Sequence, residues 1–312
     1  GQILTFEGNP ANKKEATLFR KNGAVAIEKG KIVWVGERSL IPHHINNGAS
    51  RHDYGVDLIM PGFVDAHTHY PQTGIIASFG PELLEWLKKF TFPEEARFSN
   101  LEFAKTRAKF FLDQLTAIGV TTAAVYCTVH PESALAFFEE SNLRGLRMIA
   151  GKILMDRNAP QNLRDTPEKG YEECRALIRK WHNRGRCLYA VTPRFAPTSS
   201  PAQLEVCSAL MEKYSDIYLQ SHVSENMAEI KWVAELFPES RSYLDVYARF
   251  NLLGPRSMFG HAIHMDETDL AQAKETETKF VHCPTSNLFM NSGLFRLGDM
   301  RSAGLKILLG SD

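Results

Sequence analysis

Met60-Pro61-Gly62-Phe63-Val64-Asp65-Ala66-His67-Thr68-His69 is the stretch on which the reading of this chain turns. An apolar run, Leu58–Val64, leads directly into an aspartate and two histidines spaced two apart. In a β-strand, residues two apart face the same side, so both imidazoles can approach one ion at the strand's C-terminal end. An isolated His-x-His is more often two unrelated histidines. The rest of the chain changes that reading.

From Asp57 onward, short apolar runs of β type alternate with stretches of helical period. After Leu58–Val64 come Thr121–Tyr126, Met148–Leu154, Leu188–Val191, Ile217–Gln220, Met258–Gly260, Lys279–Val281 and Lys306–Leu309. Between them lie amphipathic segments such as Leu101–Ile118, Pro131–Glu140, Pro167–Lys180, Pro201–Tyr214, Met227–Phe237, Glu267–Thr276 and Leu294–Ala303, several opened by Pro or a capping residue. Alternation of this kind produces right-handed β-α-β units and a parallel sheet. Eight strands over about 250 residues match a (β/α)8 barrel, placed at residues 58–312. Residues 1–57 read as the N-terminal part of a small β domain: Ala24–Ile27 and Lys31–Val35 flank a Glu28-Lys29-Gly30 turn, a hairpin signature. A doubly wound dinucleotide fold loses support because no Gly-x-Gly-x-x-Gly follows the first strand.

A barrel of this type carries its reactive groups at the C-terminal ends of its strands, and the chain meets that demand. The first run ends in Asp65–His69, the fourth in Thr192-Pro193-Arg194-Phe195, and the fifth in Ser221-His222 with Glu225 three residues on. The sixth ends in Gly260-His261 with His264 close behind, and the eighth in Gly310-Ser311-Asp312. Spacing alone does not separate His261 from His264. Three histidines and a carboxylate form a borderline nitrogen and oxygen set suited to zinc or Fe(II). No lysine ends the fourth strand to bridge a second ion, so one metal is expected. Such an ion makes hydroxide available near neutral pH, which points to hydrolytic attack on an sp² carbon.

Composition narrows the partners. The 312 residues carry 36 Lys+Arg and 36 Asp+Glu, a formal net charge of zero. Nucleic acid or an anionic membrane asks for a basic excess, so neither is expected as a partner. No apolar run approaches the ~18 residues of a membrane span. The five cysteines (Cys127, Cys174, Cys187, Cys207, Cys283) include no Cys-x-x-Cys pair, which fits a reducing cytoplasm.

The Met60–His69 stretch, preceded by β-type sequence, resembles the amidohydrolase superfamily. Further stretches are similar to its guanine deaminase family: Tyr70-Pro71-Gln72, Leu84-Glu85-Trp86-Leu87, Thr91-Phe92-Pro93-Glu94-Glu95, Leu154–Pro160, Thr192–Phe195, Ser221–Asn226 and His282-Cys283-Pro284-Thr285-Ser286-Asn287. The resemblance runs along essentially the whole chain. It implies deamination of guanine to xanthine and ammonia on one zinc, by a cytoplasmic homodimer. Carried over, it makes His67, His69, His222 and Asp312 the metal ligands. Glu225 becomes the proton shuttle, His261 the group that orients the attacking water, and Asp312 the acceptor of that water's proton. Gln72 and Arg194 would bond the purine edge, Phe195 would pack on the ring, and His222 would border the substrate. His282 and Cys283 are expected to be structural, and His43, His44, His52 and His182 to lie on the surface. The apolar face of Glu82–Phe92 is expected to pack in the core, in a region that covers the active site in this family.

The resemblance also implies a glycine-rich loop, an eighth helix and the closing strands of the small β domain after the last strand. The 312 residues are therefore expected to be a fragment of reduced stability and activity. The rival enzymatic reading is a deaminase of another aminated heterocycle, such as cytosine, an adenosine-type substrate or a triazine. Outside catalysis, the rival is a silent scaffold, which would be expected to lose ligands; every position here is filled. The unrelated Cys-ligated zinc deaminases need Pro-Cys-x-x-Cys, which this chain lacks; His130-Pro131-Glu132 matches only their first half.

Overall fold

The computed structural model describes residues 1–10, 13–80 and 82–312. The chain forms two compact units, Gly1–Gly62 and Phe63–Asp312. In the first unit, β1 (Gln2–Phe6) pairs antiparallel with β2 (Thr17–Arg20). β3 (Gly23–Glu28) and β4 (Lys31–Glu37) form the expected hairpin. Its two turn residues, Lys29 and Gly30, both have positive φ, 51° and 75°, the requirement of the tight turn that matches strand twist.

The expected first barrel strand is two strands in the structure. Leu58–Ile59 forms β5 and pairs parallel with β1, whereas the barrel begins with β6 (Phe63–His69). Pro61 has no N–H to give a sheet ladder, and it breaks the run between them.

In the second unit, β6 is followed by β7 (Val120–Tyr126), β8 (Arg147–Gly151), the short β9 (Ile153–Leu154), β10 (Leu188–Pro193), β11 (Tyr218–Val223), β12 (Ser257–His261), β13 (Lys279–His282) and β14 (Lys306–Leu309). All pair parallel in the order β6-β7-β8-β10-β11-β12-β13-β14, with β9 extending the third position against β10. Residues just beyond β14 meet β6 again. Asp312 N donates to His67 O at 2.8 Å, and Ser311 donates through N and Oγ to the Asp65 carboxylate at 3.1 and 2.6 Å. The result is the expected (β/α)8 barrel, nearly closed.

Helices start where the sequence supplies caps. Asn100, Thr166 and Ser200 accept from the third backbone N–H of helices Leu101–Ala117, Pro167–Trp181 and Pro201–Lys213. Asn226 and Asp266 form reciprocal capping boxes. Tyr243–Arg249 and Pro284–Phe289 are helices too short for the sequence pattern to have marked. Helix-facing residues such as Leu112, Phe137, Leu177 and Leu210 are fully or almost fully buried between helices and strands. Ala66, Ala124, Met258 and Val281, from four different strands, form a separate buried cluster that fills the barrel interior and leaves the mouth to polar groups. Among the described residues, no helix is long and apolar enough to cross a membrane.

Candidate active site

Strand ends deliver the reactive side chains. His67 lies on β6 between two glycines: a Cβ on Gly260 would come within 2.5 Å of its ring, and one on Gly310 within 2.7 Å of its own Cβ. Only a residue without a side chain fits at either neighbour. At and just past the strand ends the backbone is strained, with positive φ at Ser224 (48°), His261 (69°), Ala262 (47°) and Asp312 (69°). Strain in non-glycine residues gathers where the surrounding structure must hold a side chain in place.

Five groups converge at the mouth. His67 Nε2 lies 3.1 Å from Asp312 Oδ1, and His69 Nε2 lies 3.3 Å from the same oxygen. His69 Nε2 is also 3.1 Å from His222 Nε2. His261 Nε2 lies 3.4 Å from Glu225 Oε2 and 3.8 Å from Asp312 Oδ2. One ligand atom each from His67, His222, His261 and Asp312 lies within 4.8 Å of the others, and His69 is within 3.3 Å of both His222 and Asp312. Every imidazole in the cluster is at least nine-tenths buried.

In two of them the outer nitrogen fixes the tautomer. His222 Nδ1 donates to Arg194 O at 2.6 Å, and His261 Nδ1 donates to Asn287 Oδ1 at 2.9 Å. Each Nε2 is then left with a lone pair directed into the cluster. Burial, reinforced by the neighbouring imidazoles, holds His69 and His222 well below the usual histidine range; burial lowers His67 as well, against the pull of Asp312. For Asp312, burial opposes ionisation but is outweighed by the hydrogen bond and charge of His67 and by His261 and His69, which hold it well below the usual carboxylate range. Neutral imidazole lone pairs around a carboxylate suit a divalent cation, so the residues fit the expected metal.

Beside this cluster, Glu225 is buried and accepts from Ser292 Oγ at 3.1 Å. Burial pushes its carboxyl up to about 7, opposed by His261 and helped by Glu229 and Asp312. His261 shifts upward instead: burial disfavours its charge, but Glu225 and Asp312 outweigh that. Of the two histidines left open by spacing, His261 joins the cluster. His264 is exposed and its Nε2 donates to Ser292 O at 3.0 Å.

A cavity of about 310 Å³ opens beside these groups, lined by His69, His222, His261, Glu225 and Asp312 together with Gln72, Arg194, Phe195 and apolar Leu83, Trp86 and Leu87. The Glu82–Phe92 segment thus both packs into the core and walls the cavity, its helix Leu83–Trp86 continuing into Leu87–Thr91. Phe195 sits edge-on to Trp232 at 6.3 Å.

Several residues in and around the site carry no strand-end signal. Glu95, buried, accepts from Arg194 Nη1 through both oxygens at 2.8 Å. Glu229 accepts from the backbone N of Glu225 (3.0 Å) and from Tyr243 Oη (2.7 Å). Ser286 Oγ donates to Asp312 Oδ2 at 2.5 Å. Glu95, Ser286 and Asn287 all lie in stretches that carried the family resemblance, which was the only signal for them.

Of the remaining predicted residues, Cys283 is buried, its thiol pushed well above the usual range by burial. His282 stacks on Phe295 at 4.5 Å. His43, His44 and His52 are exposed. His182 is not a surface residue: it is half-buried, its Nδ1 accepts from Tyr189 N at 3.0 Å, and its Nε2 lies 3.0 Å from Asp216.

A barrel mouth with histidines from three strands and an aspartate beyond the last has counterparts among known proteins. The chain is 45% identical over 304 residues to guanine deaminase of Escherichia coli, covering 97% of this chain and 69% of that protein. It is 40% identical over 314 residues to the probable guanine deaminase of Deinococcus radiodurans, covering 99% and 72%. Among solved structures, E. coli guanine deaminase superposes with a TM-score of 0.97 at 43% identity, over all of this chain and 73% of that one. The guanine deaminase of C. acetobutylicum with bound guanine in the active site gives 0.93 at 30%, over 100% and 73%. The model of the amidohydrolase family matches residues 58–312, from β5 to the final aspartate, and this chain belongs to that family.

Proposed function

We propose that this chain is a guanine deaminase, converting guanine and water to xanthine and ammonia in purine catabolism or salvage. One observation carries the reading: a single cavity sets a buried arginine and a glutamine beside a histidine–aspartate cluster and a carboxyl shifted to about 7, in a chain closely similar to guanine deaminases.

His67, His69, His222 and Asp312 are the residues proposed to hold one divalent ion, zinc by donor type with Fe(II) as the alternative. The ion, when bound, supplies a water acidified to a pKa of about 7 as the nucleophile. His261 is left out of the set because its Nε2 lies nearer Glu225 than Asp312; it orients the attacking water.

Guanine is a neutral, weak electrophile at C2, so attack there needs an acid as well as a nucleophile. Glu225, neutral over much of the range below about 7, delivers its proton to N3, the ring nitrogen beside C2, and N3 keeps it. Asp312, ionised, takes one proton from the attacking water and returns it to the leaving amine. The second water proton, lost as C2 becomes a carbonyl, recharges Glu225. Two carboxyls in different surroundings thus divide the acid and base work. Gln72 and Arg194 bond the purine edge, and Phe195 packs against the ring with His222 at its border. The five cysteines are buried and free, which supports placing the enzyme in the reducing cytoplasm. The family resemblance supports a homodimer.

An ammonia-release panel of purines and pyrimidines, with metal analysis of the same sample, tests the reading. Guanine as the preferred substrate with one metal per chain is expected. Preference for cytosine, an adenosine-type compound or a triazine, or two metals per chain, would overturn it.

A further inference from the structure

Glu95 is a fully buried carboxylate that the mechanism above leaves without a task. It sits in the short helix Phe92–Ala96 and reaches across to the residue just beyond β10, where both its oxygens accept from Arg194 Nη1 at 2.8 Å. Gln72, just after β6, favours the ionised form of the same carboxyl. Gln72 and Arg194 both line the cavity, and Glu95 lies behind them.

A buried ion pair by itself says little about function. What distinguishes this one is hydrogen-bond bookkeeping. A carboxylate bonded to a permanent cation can only accept. Arg194 gives Glu95 Nη1 and, having no acceptor atom of its own, can show the cavity only donors. The fixed element of the wall is therefore the donor at Arg194.

We infer that Glu95 is a positioning residue that aims the Arg194 donors into the cavity and so selects a heterocycle edge bearing a carbonyl. Guanine has that carbonyl at C6. A purine with an amine at C6 sets a donor against the Arg194 donors and leaves them unpaired, and sites built on hydrogen bonds reject such analogues strongly. The inference rests on the guanine reading and adds to it the group that enforces the choice.

The test uses the metal-loaded protein with guanine and 2,6-diaminopurine as paired substrates. Glu95→Gln keeps the shape but removes one accepting oxygen and the charge that hold Arg194 in place. We expect KM for guanine to rise about 10- to 100-fold, with kcat within about threefold and metal content unchanged. The preference for guanine over 2,6-diaminopurine should fall at least about tenfold. If losing the countercharge of Arg194 prevents E95Q from folding, Glu95→Asp keeps the charge and draws the carboxylate back by one methylene. KM should then rise about fivefold or more, with selectivity falling in parallel. A wild-type enzyme that turns over guanine while E95Q, or E95D where only that variant folds, keeps KM and selectivity within twofold overturns the role of Glu95. Loss of metal in step with activity overturns it as well. A wild type inactive on guanine overturns the functional reading itself, and this inference with it.

Discussion

Two clusters of ionisable groups are buried in the barrel unit, and they are built on opposite principles. On β8–β9, the fully buried Lys152 places its Nζ 2.5 Å from Asp165 and 3.1 Å from Glu173, and Gln203 donates to the other Asp165 oxygen at 2.8 Å. Burial disfavours the ammonium, but Asp165 and Glu173 outweigh it and hold Lys152 above the ordinary lysine range. That cluster contains its own cation. At the mouth, burial holds the imidazoles of His67, His69 and His222 toward their neutral form around Asp312, and only His261 is shifted toward its charged form. Burial of charge does not mark a site, because a chain can neutralise itself. A surplus of lone pairs does, because only a cation from outside the chain satisfies it.

The contrast breaks most sharply at Asp312. Asp312→Asn should remove bound metal and lower turnover by more than about 10³-fold, since it takes away the anionic ligand and the base together; metal analysis beside steady-state rates checks this, and full occupancy with near-normal kcat would dissolve the contrast. Glu225→Gln should lower kcat about 10²- to 10⁴-fold with metal fully retained. A residual rate that tracks metal occupancy would move Glu225 from proton transfer to ligation. At the self-neutralised cluster, Lys152→Met should leave kcat, KM and metal content of the folded enzyme within about twofold. It should cost about 3–5 kcal/mol of stability, because the buried Asp165 carboxylate is left without its cation. Denaturant titration separates the two effects, and a Lys152 variant that loses metal would show that the clusters are coupled.

Much of the architecture could be read directly from the chain. Strand runs and helical stretches follow from hydrophobic period and caps, which are local: the helices Leu101–Ala117, Pro167–Trp181 and Pro201–Lys213 end within a residue of the expected places. The error at Leu58–Val64 is also instructive. Its apolar pattern is continuous, but the backbone chemistry of Pro61 divides it between β5 and β6. His182 was expected at the surface; contact with Tyr189 N, seven residues on, half-buries it. Short helices such as Tyr243–Arg249 span too few turns to show a period.

The site divides the same way. Strand-end position singled out His67, His69, Arg194, His222, His261 and Asp312, because a parallel barrel puts every strand's C-terminal end at one rim. Spacing did not choose between His261 and His264; the reversed backbone at His261 and Ala262 and the partner Asn287 did. Glu95 is 99 residues from Arg194, and no local pattern pairs them.

By itself, then, the order of residues determined which segments are strands, which are helices, and which reactive side chains end the strands, because these depend on contacts within a turn or two. Tertiary structure alone decided which histidine enters the cluster, which carboxyl is pushed up and which held down, and which glutamate stands behind the substrate wall. Those outcomes depend on burial and on distances across the barrel, and neither exists until the chain has closed.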